Sequence, residues 1–300
     1  MKKQYVMVSL LIGILLVSSS VCAQNTAVTS LNLTVNNHVP IEQTGMTGRI
    51  NWGQESQTVE AIGTGVAPAN FQTVAQARAL ARRAAIVEAY RNLAETIQGV
   101  RVDAHTTVQN LAIQNDTINT KVSGIIRGAR VVREGMLSDG ATYVVIMSVP
   151  LYGAGSIAEI ALEATNPSRI QEIPRPTGTS QITSSSIYTG VIIDAREFQL
   201  EPTFSPRIYD ETGRIVYGNM YINTNFAIAH GIVEYSLNEQ MLQSAFQGRS
   251  RAGKNPLVVK AVAIKDNNCN VVISNADADQ ILRENMSGGF LKACGVVFAK

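Results

Sequence analysis

Charge is scarce in this 300-residue sequence, and neither sign dominates. Asp, Glu, Lys and Arg make up 16% of the residues, against about 25% in ordinary globular chains. The first 23 residues hold two lysines and no acid, so the remainder carries 23 basic and 23 acidic residues and is formally neutral. The pI of 8.4 therefore owes its height to Lys2 and Lys3, and a nucleic-acid partner loses its electrostatic basis. Histidine is equally sparse. His38, His105 and His230 stand far apart, and none has a partner at metal-ligand spacing such as His-Glu-x-x-His, so each reads as a surface or packed residue. There is no Gly-x-Ser-x-Gly elbow and no cysteine–histidine pairing that suggests a nucleophile and its base. Gly63-Thr64-Gly65 lacks the third glycine of a dinucleotide loop and any Gly-Lys-Ser/Thr ending, so a close approach of backbone to a helix explains it better. The sequence thus shows no recognisable catalytic machinery and calls for no cofactor or metal.

Long apolar runs are missing after the N-terminus, so no transmembrane segment is expected in the mature chain. Residues 1–23 read as a secretory signal: Lys2-Lys3, an apolar core from Val6 to Val17, then Val21-Cys22-Ala23, with cleavage between Ala23 and Gln24. A retained anchor is the alternative, although the run is shorter than the 18–20 or so residues that span a bilayer. Lipidation at Cys22 would want a leucine-like residue three places earlier and a small one just before. Ser19 and Val21 stand there, so outer-membrane lipid anchoring is disfavoured and a periplasmic or secreted location favoured. Cleavage leaves Cys269 and Cys294. In an exported protein such a pair predicts a disulfide, worth about 3.5 kcal/mol by chain entropy, with two buried free thiols as the alternative.

What is present is an alanine-rich stretch, Phe71 to Gly99, that reads as one long amphipathic helix with Thr73 as N-cap and Gly99 as stop. Val74, Ala77, Leu80, Ala84, Val87, Ala94 and Ile97 recur at spacings of three and four and mark its buried face. Ahead of it, residues 24–58 are polar and read as a flexible arm, with an edge strand near Leu31–Val35 and Trp52 as an anchor onto the domain or onto a partner. Val59–Val66 reads as the first strand. Val100–Val108 alternates like a half-buried strand, Asn115–Val122 like a short helix, and Gly124–Glu134 and Thr142–Tyr152 like two strands joined at Ser138-Asp139-Gly140. A helix at Ser156–Ala164 closes a domain over 59–164. Residues 165–186, rich in Pro, Ser and Thr, read as a linker.

The second domain, 187–300, opens with the strand Tyr188–Ala195. It continues with a hairpin over Arg207–Tyr217 and a capping box at Ser236–Glu239 that starts a helix with Leu237, Met241 and Ala245 inward. The strand Leu257–Ile264 turns at Asp266-Asn267-Asn268 into Cys269–Ser274, followed by a helix at Asp277–Met286 and a final strand at Leu291–Ala299. The class expected is α+β: two small α/β sandwich-like domains, the first a mainly antiparallel sheet crossed by one long helix.

Ala79–Val102, with Arg82-Arg83, Ala89-Tyr90-Arg91 and Leu93-Ala94-Glu95, together with Ile118–Val132 and the strand after Asp139-Gly140, resembles a bacterial envelope family. That family comprises the twenty-kilodalton outer-membrane lipoprotein type and the N-terminal domain of flagellar assembly protein T. The resemblance covers about Val59–Tyr152. It implies a non-enzymatic exported protein that acts in assembly or scaffolding of a flagellar or outer-membrane complex, with other envelope proteins or copies of itself as partners. Arg78, Arg82 and Arg83 are candidates for contact with an acidic partner or lipid headgroups, against the plainer reading of a solvated helix face, and Arg82 and Arg83 also belong to the resembling run. A second candidate site gathers Asp194, Arg196, Glu201 and Arg207 around the first strand of the second domain. It serves either a periplasmic binding module for a small molecule or cell-wall glycan, or an ion pair that fixes a loop.

Overall fold

The computed structural model describes residues 42–43, 47–53, 57–70, 72–165, 169–177 and 187–300. The expected signal with its Ala23–Gln24 junction, Cys22, His38 and the strand at Leu31–Val35 lie outside these residues, as do 166–168 and 178–186 of the linker.

The first sheet is antiparallel throughout. Its strands β1 (Glu42–Gln43), β2 (Gly48–Asn51) and β3 (Thr58–Val66) precede three helices, α1 (Val74–Gln98), α2 (Val108–Gln114) and α3 (Asp116–Arg127). The chain returns through β4 (Arg130–Met136) and β5 (Thr142–Pro150) and ends this half with α4 (Ile157–Thr165). The strand order is β1-β2-β3-β5-β4. The turn between β4 and β5 is the expected one: Asp139 accepts the Ala141 and Thr142 N–H groups at 2.9 Å, and Gly140 takes φ +68°. The end of the expected polar arm is part of this sheet, since β2 pairs with β3 and Trp52 is buried.

Both ends of α1 follow the sequence reading. The Thr73 hydroxyl accepts the Gln76 N–H at 3.1 Å, and the Gly99 N–H returns to Glu95 O. The buried face follows it only at Ala77 and Ile97. Val74, Leu80 and Val87 are 76%, 45% and 64% exposed, while Ala77, Ala81, Ala85, Ala89, Leu93 and Ile97 are buried. The cause lies in β3. A Cβ on Gly63 would strike the Ala85 carbonyl and Ala89 amide, and one on Gly65 the Ala81 carbonyl. Helix backbone rests on strand backbone, and only alanines fit between. Asn92 reinforces the seat by donating to Ile62 O at 2.7 Å.

Two expected strands are otherwise arranged. Val100–Val108 forms no strand. It is a tight excursion closed by an Arg101–Thr107 bridge, with Asp103 accepting the His105 and Thr106 N–H groups, and its apolar members Val100, Val102, Ala104 and Val108 are buried all the same. The first part of Gly124–Glu134 finishes α3, which Asn115 caps and Gly128 ends, so β4 starts at Arg130.

The second sheet is mixed. Its strands are β6 (Gly190–Asp194), β7 (Ile208–Asp210), β8 (Ile215–Tyr217), β9 (Glu234–Ser236), β10 (Pro256–Lys265), β11 (Asn270–Ile273) and β12 (Val296–Ala299). The order is β8-β7-β11-β10-β6-β12-β9, with β10, β6, β12 and β9 parallel. Helices α5 (Thr224–His230), α6 (Glu239–Phe246) and α7 (Asn275–Gly288) complete it. Asn238, rather than Ser236, caps α6, accepting the Met241 N–H at 2.8 Å, and the side chains buried there are Leu242 and Ala245.

The disulfide is a correction: Cys269 and Cys294 are free, buried thiols. Cys269 precedes β11, which runs back antiparallel along β10, so it sits at the sheet edge where β6 ends. Cys294 precedes β12, parallel to β6, at the edge where β6 begins. β10 and β6 also intervene, three strand spacings or about 14 Å, whereas a disulfide needs its Cα atoms within about 7 Å. Burial pushes both thiols up from their ordinary pKa.

Residues 39–300 form one unit, and one hydrophobic cluster runs through both sheets. Trp52 is its keystone, in edge contact with Phe204 at 5.1 Å, Tyr235 at 5.7 Å and Tyr152 at 6.4 Å between ring centroids. Around it the excursion after α1 meets the second half: Ser205 N–H donates to Val102 O at 3.0 Å, and Asn267 Nδ2 to Ala104 O at 2.7 Å. Part of the expected linker is docked as well, with Gln171 N–H donating to Met220 O at 2.8 Å.

Candidate functional site

The three arginines expected to act together on α1 point in different directions. Arg78 and Arg82, four residues apart, lean toward the sheet edge. Arg82 Nε lies 2.7 Å from Glu134 Oε2 on β4, and the Arg78 guanidinium is 5.9 Å from the Tyr143 ring centroid on β5. The hydrogen bond that Arg82 donates to Glu134 holds the Arg82 pKa above its ordinary value. Arg83 is turned away from that edge and shares a shallow depression of about 480 Å³ with Leu80, Ala84, Val87, Glu88 and Arg91. This outward face exists because the helix spends its alanines on β3. Leu80 and Val87 are left on the water side, with cations at the rim. Glu88 is fixed inward by the Thr64 N–H and hydroxyl, so the rim's free charge is positive.

The second candidate site is divided in two. Arg196 grips Asp194 with both prongs, Nε to Oδ1 at 2.9 Å and Nη2 to Oδ2 at 2.7 Å, and reaches Glu239 Oε2 with Nη1 at 3.0 Å. That hydrogen bonding holds the Asp194 carboxyl below its usual pKa range, against the opposing effect of burial. Its oxygens are spent within the loop, as in the ion-pair alternative. Arg207 is elsewhere: β10 and β11 separate β6 from β7, its N–H donates to Asn270 Oδ1 at 2.8 Å, and its guanidinium to Tyr209 OH at 3.3 Å.

The sequence reading missed two arrangements. Asp210 Oδ2 takes Arg214 Nε at 2.8 Å, while Arg214 Nη2 reaches Asp279 Oδ1 at 2.7 Å, and Asp279 also accepts the Thr177 N–H and hydroxyl. The Asp210–Arg214 half has a local signal, an acid and a base flanking the Thr-Gly turn. Asp279 lies on α7, and nothing local announces it. The other is an open groove of about 680 Å³ at the end of the first sheet, between α3, the start of β4 and the end of β5. Its walls come from segments that read separately as helix, strand and turn, so no one stretch signals it. Among the described residues no three His, Cys, Asp or Glu side chains gather as a metal site, and no helix is long and apolar enough to cross a membrane.

Two family comparisons divide the chain as its sheets do. Residues 52–148 match the model of the LPP20 lipoprotein family. Residues 190–300 match the model of the second domain of Treponema pallidum Tp0624. No curated protein matches the chain. The first match supports the lipoprotein side of the resemblance and spans α1 with β3, β4 and most of β5; the second spans β6 to β12.

Proposed function

We propose that this is a non-enzymatic exported protein of the bacterial cell envelope that acts in assembly or scaffolding, with the outward face of α1 as its contact surface. The observation that carries the reading is the exposed stripe of Leu80, Ala84 and Val87 rimmed by Arg83 and Arg91, on the domain that matches the LPP20 lipoprotein family. Such a stripe suits a protein partner with an apolar centre and carboxylates at its rim. The partner belongs to an outer-membrane complex, or to a flagellar one if the likeness to flagellar assembly protein T extends to role. The binding-module reading loses its first anchor, because the Asp194 carboxylate is already held by Arg196.

A photo-crosslinking amino acid placed at Val87 in growing cells, followed by envelope fractionation, tests this. A discrete adduct with an envelope protein, lost on Leu80→Asp, is the expected result. An adduct at twice the chain's mass would assign the face to a second copy. Recovery as an unlinked monomer in the soluble fraction would overturn the scaffold reading.

A further inference from the structure

The groove beside α3 has three properties that the packing of this chain does not require. The first is Gly124. It lies inside α3, where glycine is unfavourable relative to alanine, yet a Cβ built on it would meet nothing within 4 Å. Gly63 and Gly65 are bare because a helix presses on them. Gly124 is bare facing the groove. The second is Val132. It is the extra residue of a bulge in β4, between Val131, which pairs with Met147, and Arg133, which pairs with Ile146. Bulges re-aim side chains, and this one leaves Val132 lining the groove and 55% exposed. The third is charge. Arg130, on the same wall, has no acceptor among the described residues. Lys121 lies at the rim with its Nζ 2.7 Å from Glu163 Oε2. The acid on the α4 wall, Glu159, is turned to the Gly155 N–H at 2.6 Å.

We infer that this groove binds a single unbranched hydrocarbon chain carrying an anionic head, with the chain along Gly124 and Val132 and the carboxylate or phosphate on Arg130. A volume of about 680 Å³ lies within the range of small-ligand sites. The α3 backbone spends its N–H and C=O groups inside the helix and offers only C–H surface at the bare glycine, which suits a thin hydrocarbon better than a polar chain. An unpaired guanidinium at one end selects for a negative head.

Dodecanoate and dodecyl phosphate, below their micelle concentrations, are the probes, titrated calorimetrically into the purified protein with dodecanol as the uncharged control. Both anions bind saturably. Arg130→Gln weakens them at least tenfold and leaves dodecanol unchanged. Gly124→Leu fills the groove and weakens all three at least tenfold, while its melting temperature holds or rises because leucine is the better helix former. Vesicles of phosphatidylglycerol containing a labelled lysolipid separate the sources: transfer of label to the protein assigns the groove to membrane-derived lipid, and its retention alongside dodecanoate binding assigns it to free acyl chains. Absence of saturable binding by either anion, or binding indifferent to both substitutions, would overturn the inference. None of these readings involves Val87, so this inference and the scaffold reading fail independently.

Discussion

Arg214 joins three parts of the second half, the β7–β8 hairpin, α7 and the segment ending at Thr177, through two carboxylates. Its replacement by methionine keeps the length and removes the guanidinium from both acids, Asp210 with only 2% of its side chain exposed. Breaking a buried pair from one side costs about 3–5 kcal/mol, so Arg214→Met is expected to lower the unfolding free energy by that order, read as a fall in the urea midpoint. Burial works to raise the Asp210 carboxyl, but hydrogen bonds from Thr212 and Arg214 outweigh it and hold the pKa below the usual range. A depressed carboxyl contributes stability above its unfolded pKa of about 3.9 and loses it as pH falls through the folded value. Urea midpoints measured from pH 6 down to pH 2 should therefore drop below about pH 4, and the drop should be shallower in Arg214→Met. The two thiols behave in the opposite sense. Buried and raised in pKa, Cys269 and Cys294 should ignore a thiol reagent at neutral pH until denaturant is added. Reductant should leave the melting temperature unchanged, whereas a drop would mean that a disulfide forms after all.

Among the elements, α1 shows what a sequence reveals and what it hides. Its position, its Thr73 cap and its Gly99 stop are local properties, and they were legible. Its buried face was legible only at Ala77 and Ile97, because the periodicity of Val and Leu ranks side chains by size, while the receiving surface of Gly63 and Gly65 admits only the smallest. The same limit explains the excursion after Gly99: alternation marked the buried residues correctly but not the path that buries them. It explains the cysteines too, since pairing depends on a strand order that departs from chain order. The candidate sites fared accordingly. Asp194, at the end of β6, and Arg196 are two residues apart in sequence and could be read; the groove is assembled from separate segments and could not. The face assignment makes a sharp contrast testable. Ala85→Leu should cost about 1–3 kcal/mol or more by prying α1 from β3, while Val87→Gln should stay within about 0.5 kcal/mol. Urea unfolding of the two variants decides it, and equal effects would return Val87 to the core.

At the scale of the whole molecule, the shared core should make the two sheets unfold as one. Trp52 leaves the first sheet to sit among Phe204, Tyr235 and Tyr152. As the only tryptophan in the sequence it reports directly on that junction. Its fluorescence and the far-ultraviolet circular dichroism should lose their native signals in one coincident denaturant transition. Trp52→Ala should cost about 3–5 kcal/mol, and two separated transitions would show that the halves fold independently. The two family matches, 52–148 and 190–300, meet across this junction. The position of β12 adds a matter of timing. Its residues 296–299 come last among those of the second sheet, yet it is an inner strand, holding β6 on one side and β9 on the other. β6 comes roughly a hundred residues earlier, so the edge it offers β12 has no strand until the end of the sheet is delivered. During that interval the apolar strand is open to strangers. Losing a few residues around β12 would leave that edge permanently open, a ready template for another chain.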